Sequence, residues 1–438
     1  MATDQDHITQ ARKVLTSRTL RLRWRYYDGT QPRLWLTPKL RSMFRALADS
    51  MDENYCGLAI HTRATRLEVT GFAGDGSAAA EELWTADRWP TRQSDWFRWA
   101  LVYGYAYLIV ADDDGDRTIA PNRPTLVWHE PSVDDPSRVE VAVKQWFDGD
   151  VWRSNVYDDE EIRRYVARGT DQSRSKPPAP DAYMRDSDDE GGPHGFDRCP
   201  VIPTYAYGYE APVLIDQIAS PQDRINKLAA NKFVAAEFGA FRQRIFFTTQ
   251  GLADEDVEQT PDTAVVLDPG DPNNPARMAE STPTDLANYD NAKAAEVDGL
   301  FTIALLPRHL RVAGTAQPPS GAAIKADEGP LVEALYDHQR EFGAALTDAF
   351  GLLGIDADPV WRSPEILDET AAAATVRAFV DSGVPWQDAV KRYAGWTDED
   401  VQDLTPAAGP AVAQANGTAG NATGAALLQA FSAAPAEG

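Results

Sequence analysis

Two segments in the middle of the chain carry apolar residues at spacings of three and four, the repeat of a helix with one buried stripe. The first is predicted over 220–240, with Ile225, Ala229, Phe233, Ala236 and Ala240 on the stripe. Ser220 can cap it, Pro221 suits a first-turn position that lacks an amide partner anyway, and Asp223 places a carboxylate near the helix start. The second is predicted over 283–306, where Leu286, Tyr289, Lys293, Val297, Leu300 and Ala304 share a face with Lys293 as its only charge. Small residues keep both stripes slender, as close side-by-side packing requires. Between them, 245–249 and 264–267 are β-rich and flank the acidic stretch Asp254, Glu255, Asp256 and Glu258. A Pro- and Gly-rich loop over 307–319 carries Arg308, His309, Arg311 and Gln317. One long helix over 320–353 then buries Leu331, Leu335, His338, Phe342, Ala345, Ala349 and Leu353, with a kink expected at Gly329 and Pro330.

The N-terminal half alternates between the two periods. Leu67, Val69 and Phe72 form a strand closing on glycine, and 77–89 reads as a helix. Trp96, Phe97, Trp99, Ala100, Val102 and Tyr103 follow helical spacing, Gly104 breaks it, and 105–110 continues as a strand. The run Asp112 to Asp116 is a hairpin turn; read as a calcium loop it would place Arg123 where a bidentate Glu is needed. Further strands are predicted over 125–128, 139–147, 151–157, 162–166 and 200–207, with 169–200 a polar surface excursion or poorly ordered loop. Beyond Pro364, 371–380, 385–393 and 397–404 read as short helices, and the Ala/Gly-rich stretch after Thr405 as a flexible tail. The fold class is α+β.

Composition narrows the function. A chain of 438 residues with 43% apolar residues is a folded globular protein, and a net charge of −25 excludes tight DNA wrapping by phosphate neutralisation. The same charge suits a wall past which DNA slides, or simple solubility. Against that balance, the first forty-five residues carry ten Lys and Arg among few acids. This arm is expected to dock on the acidic body of its own or a neighbouring subunit, or to contact DNA or a scaffold. No membrane span or secretory leader is apparent, which points to synthesis in the cytosol. Cys56 and Cys199 are expected to be reduced and buried.

Catalytic signatures are missing. There is no GxSxG, phosphate-binding GxxxxGK[ST], dinucleotide GxGxxG or HExxH motif, so no cofactor or metal is expected. Near carboxylate pairs such as Asp158 and Glu161 are read as solvated faces, His338 as a packed residue and the Trp residues as core.

The order of these elements resembles a tailed-bacteriophage portal protein of the actinobacteriophage type. The resemblance is carried by NYCGLAIHTRATRLEVTGF, AYGYAYLIV, VLIDQIASPQDRINKLAANKFVAAEFGAFRQRIF and LLPRHLRVAGTAQPPSGAAIKADEGPLVEALYDHQREFG, in that order. It implies a wing over 1–219, stem helices over 220–240 and 283–306, a clip over 241–282, a tunnel loop over 307–319, a long wing helix over 320–362 and a crown over 363–404. Twelve copies would form a ring at one capsid vertex, through which terminase threads double-stranded DNA; head-completion, scaffold and major capsid proteins are the further partners implied. Such a ring would carry a net charge of roughly −300. Arg308, His309 and Arg311 would form a basic collar in the channel, or pair with acids of an adjacent subunit. Arg242 and Arg244 at the clip's edge would dock the motor or pair between subunits, with Asp254, Glu255 and Asp256 as further docking candidates. An acidic carbohydrate-active hydrolase and a channel-less virion adaptor are the alternative readings.

Overall fold

The computed structural model describes residues 3–32, 52–113, 115–135, 138–167, 177–240, 244–247, 270–271, 274–275, 277–280, 285–311, 321–365, 369–387 and 389–390. The chain divides into two compact units, Met1–Val312 with Glu333–Arg362, and Ala313–Val332 with Ser363–Gly438.

The first unit opens with helices α1 (Asp4–Leu15) and α2 (Arg18–Tyr27). Thr3 and Asp6 form a reciprocal capping box at the start of α1, satisfying amides that the helix leaves open. Helix α3 (Tyr55–Ala64) and strand β1 (Val69–Ala73) follow, then α4 (Ser77–Ala86) and α5 (Trp89–Tyr103). The helix expected over 77–89 therefore ends earlier, and the helix carrying Trp96 starts at Trp89. Gly104, at φ 96°, ends α5 in the left-handed region and turns the chain straight into β2 (Tyr105–Asp113).

β2 lies between β3 (Asp116–Asn122) and β10 (Val201–Tyr205) in a three-stranded antiparallel sheet. The Asp-rich run is the hairpin turn of this sheet, with Asp113 opposite Asp116 and the Asp112 carboxylate accepting from the Gly115 amide. A larger antiparallel sheet runs β4 (Val127–Pro131), β5 (Val139–Asp148), β6 (Val151–Tyr157), β7 (Glu161–Ala167) and β8 (Met184–Arg185), with β9 (Gly191–Pro193) also on β7. Part of the 169–200 excursion is thus an ordered sheet edge: backbone pairing to β7 uses main-chain groups, which a polar, Gly-rich sequence supplies as well as any other.

α1 covers the larger sheet. Ile8 and Ala11 pack against Val143, Trp152 and Val156, and Arg163 of β7 bonds Asp4 at 2.7 Å. A Tyr107–His129–Tyr205 chain of hydrogen bonds, 2.8 and 3.1 Å, ties the two sheets together.

Helix α6 (Leu214–Ala240) leads to β11 (Arg244–Phe247), which pairs with β14 (Arg277–Glu280); β12 (Gly270–Asp271) pairs with β13 (Asn274–Pro275). Helix α7 (Ala287–Ile303) returns, and α8 (Gly321–Leu352) and β15 (Asp358–Trp361) follow, β15 pairing with β1. The expected start of α6 at Ser220 is corrected: six more residues precede it and Pro221 lies inside the helix. Val213, Leu214, Ile215 and Ile218 are buried, and that apolar anchorage offsets the amide bond which proline cannot make. α8 runs unbroken through Gly329 and Pro330, and its whole expected stripe from Leu331 to Leu353 is buried.

The core of the first unit is aromatic. Trp84 stacks on Trp89 at 4.7 Å, Trp96 meets Phe342 edge-on at 5.0 Å, and Phe72 meets Phe350 at 5.0 Å. Tryptophans there serve packing, as expected. In the second unit, α9 (Glu369–Asp381) packs Val376 against Ala389 and Val390. The expected helix over 397–404 and the tail lie outside the described residues.

Candidate functional site: the α6–α7 pair and the loop after it

α6 and α7 run antiparallel. Arg224 pairs with Glu296 at 2.9 Å and Lys232 with Asp290 at 2.6 Å, so advancing along one helix means retreating along the other. Both pairs are largely solvent-exposed, and each contributes at most about 1 kcal/mol. The stability of the pair comes from its near half, where Ile225, Ala230, Val297, Leu300, Phe301 and Ala304 are buried.

That near half grips the start of α3 through buried amides. Gln222 and Asn226 are both 0% exposed. The Gln222 carbonyl oxygen accepts from the amides of Tyr55 at 2.8 Å and Cys56 at 3.3 Å, while its NH2 donates to the Glu53 carbonyl at 2.6 Å. Asn226 accepts from the Glu53 amide at 3.1 Å. The Glu53 carboxylate in turn pairs with Lys293, the single charge on the α7 face. Arg63 of α3, 3% exposed, donates to the Ala304 carbonyl at the end of α7 at 2.5 Å and to the Ala59 carbonyl at 3.0 Å. Burial pulls its guanidinium below the usual arginine range. Tyr55 packs edge-on against Phe301 at 5.9 Å. Desolvation, with the neighbouring Glu53 carboxylate, pushes its phenol up to about 12.

The far half is different. Ala229, Phe233, Leu286 and Tyr289 are only half-buried, and no described residue of α6 beyond Ala230 is fully buried. Leu286 sits at the cap position just before α7 rather than within a helix starting at 283. Of the expected stripes, among the described residues only Ile225, Val297, Leu300 and Ala304 are buried; the buried face of α6 runs through Gln222, Ile225, Asn226 and Ala230, and the far half is partly open to solvent.

Pro307 leads into a short 3-10 turn, Arg308–Leu310. Arg308 is exposed and His309 half-buried. Arg311 pairs with Asp298 of α7, an acid of its own chain. Gln317, Arg242, Asp254, Glu255 and Asp256 lie outside the described residues; Arg244 is the first residue of β11, opposite Glu280.

Other expected features resolve plainly. His338 is 4% exposed; its Nδ1 donates to the Ala206 carbonyl at 2.6 Å and burial pulls its pKa down to about 4, so it is a neutral packed residue. Cys56 and Cys199 are buried free thiols, each pushed up to about 12 by burial. Asp158 and Glu161 both bond Arg163. Although desolvation is the largest influence on Asp158 and raises its pKa, hydrogen bonds from Arg163 and the amides of Glu160 and Glu161 outweigh it, and the net shift is downward. A general acid needs the opposite. No cluster of His, Cys, Asp and Glu able to hold a metal occurs among the described residues, and no described helix is long and apolar enough to cross a membrane.

The sequence reading passed over Gln222, Asn226 and Arg63. The available signal was the i, i+4 spacing of the two amides beside Ile225 and Ala229, which places them next to the buried stripe.

Among solved structures, the neck of an empty gene transfer agent (GTA) particle computed with C6 symmetry is similar over 80% of this chain and 91% of that one, at 13% identity and a TM-score of 0.48. The neck of a native GTA particle computed with C12 symmetry is similar over 86% and 95%, at 13% identity and a TM-score of 0.46. Comparison with proteins of curated function gives no match. The phage portal protein family, SPP1 Gp6-like, matches residues 53–353, a span that takes in α3, the α6–α7 pair and all of α8. The chain belongs to that family and is a structural portal subunit.

Proposed function

We propose that copies of this chain, twelve in number, assemble into a closed ring at one vertex of a virion capsid, with the α6–α7 pairs side by side around a channel for double-stranded DNA. The observation that carries this reading beyond the family match is the half-open far end of the pair. Ala229, Phe233, Leu286 and Tyr289 form a slender apolar face that one chain leaves partly wet, and neighbouring copies would cover it. The near end, clamped by Gln222, Asn226 and Arg63, holds each pair at a fixed orientation on its own body.

Electrostatics support a channel wall rather than a DNA clamp. With −25 per chain, the ring surface repels phosphates and disfavours adhesion. Arg311 is already paired with Asp298, so the loop presents less net positive charge than its sequence implies. Terminase, head-completion, scaffold and major capsid proteins would be the partners; the segment between α6 and α7 is the docking candidate for the first two. Synthesis in the host cytoplasm precedes incorporation into the virion.

Mass photometry of the purified full chain tests the reading. A discrete species near twelve chain masses, annular in negative stain, is expected. A monomer at all concentrations and salt conditions contradicts it.

A further inference from the structure

α7 ends in a tight capping turn. Leu306 donates its amide to the Phe301 carbonyl at 2.9 Å and Leu305 donates to Thr302 at 3.3 Å, a pattern that places the residue after the cap in the left-handed region and favours glycine there. Here that residue is Leu305, at φ 51° and 41% exposed. A leucine held in this conformation is strained where glycine would not be, and at 41% exposure it recovers only part of that cost from burial in its own chain. Ile303, 43% exposed, stands beside it. Both line a cleft of about 490 Å³ that also includes Asp337 and Glu341 of α8.

The cleft lining itself balances Asp337 and Glu341 against Arg63 and Arg340. Beside it, the outer face of α8 is acidic: Glu333, Asp337 and Glu341 are exposed at successive four-residue spacings. Asp337 pairs with Arg340, whereas Glu333 and Glu341 have no ion-pair partner among the described residues. Burial pushes the Glu341 carboxyl up, against a smaller lowering by Arg340.

A complementary ridge lies on α2. Arg18, Arg21 and Arg25 are exposed on one face of the helix, while Arg23 turns to Asp216 at 2.6 Å. Arg25 donates to the Thr30 carbonyl, and Arg18 and Arg21 have no carboxylate partner among the described residues. Unpaired arginines in a row are unexpected on a chain with 67 acids and 42 Lys and Arg. A ring contact joins two unlike patches of the same chain, one from each neighbour; the basic ridge of α2 and the acidic outer face of α8 beside a cleft lined by Ile303 and Leu305 meet that requirement.

We propose that the cleft receives α2 of the neighbouring copy, with Arg18 and Arg21 meeting Glu333 and Glu341 and their aliphatic stems lying on Ile303 and Leu305. The proposal rests on the ring assembly given above. It explains why leucine occupies a position that suits glycine: its side chain is part of the seat for the next subunit.

The test is a charge exchange on the full chain, read as the fraction of protein in rings by mass photometry. Arg18→Glu with Arg21→Glu, and separately Glu333→Arg with Glu341→Arg, are each expected to cut the ring fraction at least tenfold. Both exchanges in one chain are expected to restore it. Leu305→Gly is expected to lower the ring fraction without lowering the thermal midpoint of the monomer, a combination that damage to the fold would not give. Wild-type ring yield from either charge-reversed chain overturns the proposal and leaves the ring reading intact. Failure of the combined exchange to restore rings overturns it too, since the two patches then do not face one another. Rings that persist in the α2 variant but lose retention of double-stranded DNA overturn it in favour of a nucleic-acid contact. A wild-type chain that never forms rings removes both.

Discussion

Gln222 concentrates more of the α6–α3 junction than any charged residue near it. One buried amide serves the Tyr55 and Cys56 N–H groups and the Glu53 carbonyl, and removing it strands those groups away from water. Gln222→Ala is expected to destabilise the first unit by about 2–4 kcal/mol, seen as a lowered midpoint in urea unfolding. Arg224→Ala, which breaks only an exposed pair, is expected to cost less than about 1 kcal/mol. Two desolvated histidines, the buried His338 and the half-buried His129, set a pH dependence. His129 and His338 each have a folded pKa of about 4, below the ordinary 6.5, because burial disfavours the charged ring. The unfolded chain therefore binds more protons between these values, so stability is full above about pH 6.5 and falls as pH drops toward 4. The loss is on the order of 3 kcal/mol per histidine. His338→Gln, which keeps a donor for the Ala206 carbonyl, is expected to flatten that slope in unfolding measurements from pH 7 to 4.

Among the elements, the α5–β2 junction shows how a local rule fixes a long-range arrangement. Gly104 at φ 96° sends the chain from helix to central strand, and a β-carbon there would lie 2.5 Å from the Val213 Cγ2 just before α6. Gly104→Ala is expected to cost about 2 kcal/mol or more, by left-handed strain and overlap together, read as a lowered thermal midpoint. This junction was legible in the sequence because helical spacing stops and alternation begins on either side of one glycine. Strands β5, β6 and β7 were legible for the same reason. β3 was not named, since Asp116 to Asn122 includes Pro121 and lacks a clean alternation, and it pairs through the β2 hairpin. β8 and β9 were invisible because edge pairing leaves little trace in side-chain pattern. The start of α6 was misplaced because Ser220 and Pro221 imitate a cap, while the residues that extend the helix are recognisable only once their tertiary burial is seen. At the site, the two helices and their buried Ile225, Val297, Leu300 and Ala304 were readable, whereas Ala229, Phe233, Leu286 and Tyr289 are only half-buried. The clamp was not readable, because Gln and Asn in a helix look solvated until their backbone partners on another element are known.

At the scale of the whole molecule, a tightly clamped near half and a partly open far half of one helix pair fit the proposed ring, in which neighbouring copies would complete the packing. Neither feature needs a catalytic group, and Asp158, held with Glu161 on Arg163, has its pKa moved in the wrong direction for acid catalysis. Cryo-electron microscopy of the purified chain tests the central claim most directly, by locating α6 and α7 relative to any symmetry axis. The account predicts a closed ring in which Ala229, Phe233, Leu286 and Tyr289 are covered by the adjacent copy beside a central channel. A ring with those residues on its outer rim, or a particle with no ring at all, would contradict it.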